Sequence, residues 1–207
     1  MSSELVFYTN PRSRGRVARW MLEEVGASYR TQLLEYGPAM KAPGYLAINP
    51  MGKVPSIRHG DAVVTECAAI CAYLADAFPD AGMAPPPSKR AAYYRWLFFA
   101  AGPLEAAVVN RALGLEVPAG KEEMAGYGTF KSVMDTLEGA LSGGGYIAGD
   151  RFSAADVYVG AQIGWGLEFG SIDERPGFAD YAARVRDRDA YRRANELDDA
   201  AMPDGGA

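Results

Sequence analysis

The chain has 207 residues, 49% hydrophobic, 23% charged and 11% aromatic, with a formal net charge of −5. That is enough chain for one large domain or two small ones with a buried core, and the acidic balance argues against the basic footprint of a nucleic-acid binder. One histidine and two cysteines exclude a disulfide framework and a Cys/His zinc centre, and leave His59 as the single base for any Ser-His-Asp mechanism. Chemistry therefore rests on other groups or on a held cofactor, with no metal expected.

The polar start Met1-Ser2-Ser3-Glu4 precedes a short apolar run, Leu5-Val6-Phe7-Tyr8, unlike a signal peptide. No stretch reaches the roughly 20 apolar residues of a membrane span, so a reduced, cytoplasmic location without a membrane partner is expected. Leu5-Val6-Phe7-Tyr8-Thr9 is a run of strand formers, punctuated by Asn10, Pro11 and Ser13. Over residues 14–25, Val17, Trp20, Met21, Leu22 and Val25 recur at helical spacing, and Gly26 suits the position just past the helix. Residues 29–34 read as a second strand. Residues 54–58 and 62–65 read as a hairpin turning at His59-Gly60-Asp61, which places His59 in an exposed turn. A helix is predicted over 66–78. This β-α-β start with a later β-β-α defines an α/β domain over residues 1–80.

Pro79, Gly82, Pro85, Pro86 and Pro87 mark a linker over 81–88. Beyond it the pattern is all-helical: 89–113, 121–141, 153–169 and 177–194, with Gly143-Gly144-Gly145 as a break. Residues 89–207 are thus expected to form a helical domain ending in a loose tail over 202–207.

Three motifs carry chemical meaning. In Asn49-Pro50-Met51-Gly52-Lys53-Val54-Pro55, a proline opens a short strand and leaves the preceding backbone free to pair elsewhere, and a cis Val54-Pro55 bond would turn Val54 toward a ligand. Glu66 then opens a helix whose first N–H groups suit a carboxylate. In Gly149-Asp150-Arg151-Phe152-Ser153-Ala154-Ala155-Asp156, Ser153 and Asp156 form a capping-box variant, with Phe152 placed to staple onto Val157.

Together these motifs, with Glu66-Cys67-Ala68-Ala69-Ile70-Cys71-Ala72-Tyr73-Leu74, resemble the cytosolic glutathione transferase family over almost the whole chain. The resemblance implies a thioredoxin-like N-terminal domain followed by an all-helical C-terminal bundle, and a homodimer. It implies glutathione as co-substrate, paired along Val54 beside Pro55, with its γ-glutamyl end at Glu66 and Cys67 and its glycine carboxylate near Lys41 or Lys53. Cys67 departs from the family's usual serine, and a thiol is the weaker hydrogen-bonding group.

Glutathione's thiol must be favoured as thiolate near neutral pH. Tyr8 resembles the tyrosine of tyrosine-type members, with Arg12, Arg14, Arg19 and Trp20 at matching spacing, and Arg14 matches an arginine that in those members would supply charge near the thiol. Ser13 fits the serine-type members, and Asn10 is a third candidate donor. The choice between Tyr8 and Ser13 stays open, leaning to Tyr8. No cysteine lies between Tyr8 and Arg16, which removes the thiol-reductase mechanism of cysteine-type members from this turn. Tyr93, Trp96, Phe99, Arg111 and Trp165 are candidate walls for a small hydrophobic electrophile between the domains. Conjugation of glutathione to such electrophiles is the expected function. The alternatives are glutathione-dependent isomerisation or peroxide reduction, or a non-catalytic glutathione-binding protein of the same fold.

Overall fold

Strand β1, Leu5–Thr9, is apolar on both faces and sits inside the sheet, as a strand covered on both sides must. In the computed structural model, which describes residues 4–202, β1 pairs parallel with β2, Arg30–Leu33, and antiparallel with β3, Ser56–His59. β3 pairs antiparallel with β4, Ala62–Thr65, through a tight Gly60-Asp61 turn, giving the order β2-β1-β3-β4. Helix α1, Gly15–Glu24, follows β1 and ends where Gly26 takes a left-handed φ of 63°. Two short turns of helix, α2 (Pro38–Lys41) and α3 (Pro43–Leu46), precede β3, and α4, Cys67–Ala77, follows β4. The two short helices each start on a proline, whose fixed φ suits a first helical turn, but neither is long enough to give a periodic signal. The mixed four-stranded sheet with flanking helices is the thioredoxin-like arrangement expected of the first domain.

His59 ends β3 rather than standing in an exposed turn. Its ring stacks on Phe78 at 5.8 Å and its Nδ1 lies 3.1 Å from the Tyr73 hydroxyl, so it is half-buried structure.

The chain divides into two compact units. The first holds residues up to Met83 together with the stretch from Arg188, so helix α10, Asp189–Ala200, joins the sheet domain, whereas the sequence pattern assigns it to the helical domain. The reason is electrostatic and apolar at once. On α1, Arg16 reaches Asp199 at 2.6 Å, Glu24 receives Arg188 at 2.6 Å, and Glu23 receives Arg193. Trp20 meets Tyr191 edge-on at 4.8 Å. At the centre Arg19 and Asp198, 3% and 0% exposed, face each other with Nε 2.9 Å from Oδ1. That approach is close but misaligned, so it is an ion pair rather than a hydrogen bond. Arg19 also donates to the Tyr29 hydroxyl and Thr31, and its guanidinium lies over Phe7. Burial raises the Asp198 carboxyl above its ordinary range although Arg19 pulls the other way.

The second unit, Ala84–Asp187, is all helical in its main elements. α5, Ala91–Phe99, widens into a π turn at Ala100–Leu104 around Pro103 and resumes as α6, Glu105–Ala112. Gln162 donates to the Ala100 carbonyl at that irregularity. The expected helix over 121–141 starts only at Phe130 and ends at Leu141, as α7. Thr129 and Ser132 cap it reciprocally, and Gly128 takes a φ of 68° just before. α8, Ala154–Glu168, is buried over most of its length, and α9, Phe178–Arg186, packs on it. A Cβ on Gly160 would lie 2.5 Å from Val185, and one on Gly164 2.1 Å from Arg186, so these glycines let the helices close. The expected helix 177–194 is therefore two helices that belong to different units.

The capping box at α8 extends further than its two members. Asp156, fully buried, accepts from the Ser153 N–H and hydroxyl at 3.0 Å, from the Ile147 N–H at 2.8 Å and from Tyr181 at 2.9 Å. Phe152 sets its ring against Tyr146. No helix among the described residues is long and apolar enough to cross a membrane. Of the expected tail, Pro203 onward lies outside the described residues.

Asp198→Ala would leave Arg19 charged and buried without its partner. A loss of about 3–5 kcal/mol, read as a lower urea midpoint, is expected, and Arg19→Met with Asp198→Leu should recover most of it.

Candidate functional site

The register of the sheet brings the predicted site residues to one end. Tyr8 lies opposite Ser56, and Ser56 opposite Thr65. The turn after β1, the Val54-Pro55 step before β3, and the start of α4 after β4 therefore leave the sheet together. This is the end at which the parallel strands β1 and β2 finish, where ligand crevices in such sheets form.

The Val54-Pro55 bond is cis. Pro55 is buried, and the ladder begins only at Ser56, so neither the N–H nor the C=O of Val54 has a partner among the described residues. The loop before it is fixed from behind. Asn49 donates to the Lys53 carbonyl at 2.8 Å and accepts from the Met51 N–H, while Tyr45 donates to the same Lys53 carbonyl at 2.6 Å and lies 2.9 Å from the Ser56 hydroxyl. Gly52, with φ of 58°, lets this loop close, since a Cβ there would lie 2.5 Å from the Met40 carbonyl. The Lys41 ammonium donates to the Met51 carbonyl at 2.8 Å, and Lys53 is exposed. Tyr45 and Asn49 are the positioning residues that sequence reasoning did not single out. Asn49 sits inside the motif it quoted, while Tyr45 carries no signal beyond being an aromatic residue before it.

Glu66 caps α4 with φ 65° and ψ 119°, the one non-glycine at positive φ among the described residues. Such a conformation costs on the order of 1–3 kcal/mol and persists where the surroundings impose it, typically at ligand sites. Its side chain is exposed. Cys67 occupies the first helical position and is nearly buried, with its thiol 3.6 Å from the Arg14 carbonyl. This contact links the start of α4 to the start of α1. Cys71 is fully buried one turn on; its hydrogen bond with Cys67 and its burial push its thiol well above the usual range. Cys71 is therefore inert packing.

The turn between β1 and α1 is saturated with internal hydrogen bonds. The Asn10 amide donates to the Leu34 carbonyl at 2.9 Å and its Oδ1 accepts from the Arg12 N–H. The Ser13 hydroxyl donates to the Asn10 carbonyl at 2.7 Å and accepts from the Gly15 N–H at 2.9 Å. The Pro11 carbonyl accepts from Arg16 Nε at 2.6 Å, and the Arg12 carbonyl from the Tyr36 hydroxyl at 3.3 Å. A Cβ on Gly15 would meet the Thr9 hydroxyl at 1.9 Å, so only glycine lets α1 begin against the end of β1. Tyr8 differs: its ring leans on Tyr45 at 5.7 Å, and its hydroxyl has no partner among the described residues. Arg12 and Arg14 are exposed on the turn.

Family models place this arrangement. The N-terminal domain model of the glutathione S-transferases matches residues 13–77 and their C-terminal domain model matches residues 106–184. The chain belongs to the glutathione S-transferase family. A glutathione S-transferase of Hyoscyamus muticus is 27% identical to it over 181 residues, covering 79% of this chain and 82% of the relative. The crystal structure of a glutathione transferase from Methylococcus capsulatus superposes with a TM-score of 0.78 at 27% identity, over 95% of this chain and 99% of that one. A sphingomonad glutathione S-transferase complexed with glutathione superposes with a TM-score of 0.75 at 26% identity, over 94% and 98%. Within this family member the candidate electrophile walls have mixed placements. Tyr93 and Trp96 are core of the helical unit, and Phe99 and Trp165 are half-buried. Arg111 pairs with Asp173 at 2.7 Å and lies over Phe130.

Replacing Glu66 by glycine removes the backbone penalty at φ 65°. Glu66→Gly is expected to raise the thermal or urea midpoint by the equivalent of about 1 kcal/mol, while Gly15→Ala, driven against buried Thr9, should lower it by about 1–3 kcal/mol.

Proposed function

We propose that the first unit holds glutathione across Val54 and the start of α4, and that the protein conjugates the glutathione thiol to small hydrophobic electrophiles. The observation that carries this reading is the unpaired backbone of Val54 beside the strained Glu66. An extended tripeptide can pair with both backbone groups of Val54. Its γ-glutamyl ammonium then meets the Glu66 carboxylate, and its γ-glutamyl carboxylate meets the first N–H groups of α4. Lys41 or Lys53 receives the glycine carboxylate. The relative complexed with glutathione supports this ligand.

Tyr8 is the donor we assign to the thiolate. The Ser13 hydroxyl hydrogen is already given to the Asn10 carbonyl, and Asn10 is buried with one amide hydrogen given to the Leu34 carbonyl, whereas the Tyr8 hydroxyl is uncommitted. Arg12 and Arg14 add positive potential from the turn. In the reaction the thiol loses its proton to solvent, Tyr8 hydrogen-bonds the sulfur, and sulfur forms the new C–S bond as the electrophile's leaving group departs or its double bond accepts the electron pair.

Calorimetric titration with glutathione tests the binding half. Glu66→Gln should weaken affinity by about tenfold or more, and wild-type protein that takes up no glutathione would overturn the reading. Ultraviolet difference titration of bound thiolate against pH tests the donor. Tyr8→Phe should move the midpoint upward by about one unit or more and Ser13→Ala by less; the reverse order would transfer the role to Ser13. Glutathione binding without turnover of any electrophile would favour a non-catalytic role.

A further inference from the structure

The Pro11 carbonyl sits in the turn that carries Arg12 and Arg14, ahead of the first residue of α1. Among the described residues its sole partner is Arg16 Nε, at 2.6 Å. The remaining nitrogens of the same guanidinium point the other way, to α10: one donates to Asn195 Oδ1 at 3.3 Å and another to Asp199 Oδ1 at 2.6 Å. Asp198 of the same helix also feels the Arg16 charge. One side chain thus spans from the site turn to a helix far along the chain, using the planar fork that lysine lacks. A carbonyl oxygen released beside an anion would repel it, so where this oxygen points matters to a thiolate bound nearby.

We propose that Arg16 is a positioning residue of the site turn and that Asn195 and Asp199 of α10 hold it in that role. The C-terminal helix thereby acts on the site through one guanidinium, touching neither glutathione nor its sulfur. The inference rests on glutathione occupying the site proposed above, and it makes a prediction opposite in sign to simple charge. Removing the Asp199 charge makes the turn more positive, which through space alone would favour a thiolate. Loss of positioning would disfavour it.

The test measures two quantities on wild type, Asp199→Asn, Arg16→Lys and Asp199→Glu. One is the pH midpoint of bound-glutathione thiolate absorbance. The other is amide hydrogen exchange at Ser13 and Gly15 in the ligand-free protein. Asp199→Asn and Arg16→Lys should raise the midpoint by about half a unit or more and speed exchange at both amides by about tenfold. Asp199→Glu should restore both. A lowered or unchanged midpoint in Asp199→Asn overturns the inference, as does a raised midpoint with unchanged exchange. If wild type shows no thiolate signal, the proposed function falls, and exchange alone then decides: unchanged rates in Asp199→Asn overturn the positioning role. Asp199 is 66% exposed, so its two variants leave the core intact.

Discussion

Gln32, Tyr8, Ser56 and Thr65 lie in one row across the sheet, and beyond that row the chain departs in three ways that matter to the site. After Tyr8 it enters the arginine-bearing turn, before Ser56 it passes through Val54-Pro55, and after Thr65 it turns into α4 through Glu66. A shift of one residue in any of these pairings would swap the faces of the strand and separate the three. The register is held because Phe7 and Ile57 are fully buried on one face, so slipping β3 would carry Ile57 off that packed face. Site geometry here is a by-product of core packing.

Within that frame the polar groups divide into those already committed and those left over. Asn10, Ser13 and the carbonyls of Asn10, Pro11 and Arg12 are bound to one another or to neighbours. The Tyr8 hydroxyl and the Val54 backbone are left over. A rigid turn whose own groups are satisfied does not reorganise when a charge forms beside it, and that preorganisation makes fixed dipoles effective. The strained Glu66 is the counterpart: a residue kept in an unfavourable conformation by a hairpin on one side and a buried helix on the other.

The sheet domain, its four strands and helices α1 and α4 were legible because their apolar residues repeat with clear periods and end at glycine or proline. The motif around Val54 and Glu66 was legible because its residue types are unusual in sequence. Three things were not. Whether Tyr8, Ser13 or Asn10 was free to donate depended on which carbonyls the turn brought within reach, and no spacing reveals that. The helix predicted over 177–194 hides a break at Asp187 and Arg188, since neither residue is a strong helix breaker. The placement of α10 depended on charge pairs such as Glu24 with Arg188, 164 residues apart, and single charges on a helix face look the same whether they meet solvent or a distant partner.

The return of α10 to α1 also orders events in time. Arg19 leaves the ribosome long before its counter-ion does, with the whole helical unit between them. At about 5–20 residues per second, the 164 residues separating Glu24 from Arg188 take on the order of 10–30 s to make. Through that interval the sheet domain carries an uncovered helix face with Trp20 and Arg19 on it, while the helical unit, continuous in the chain, has all it needs as soon as its own last residue is made. The domain that is translated first is therefore the one completed last.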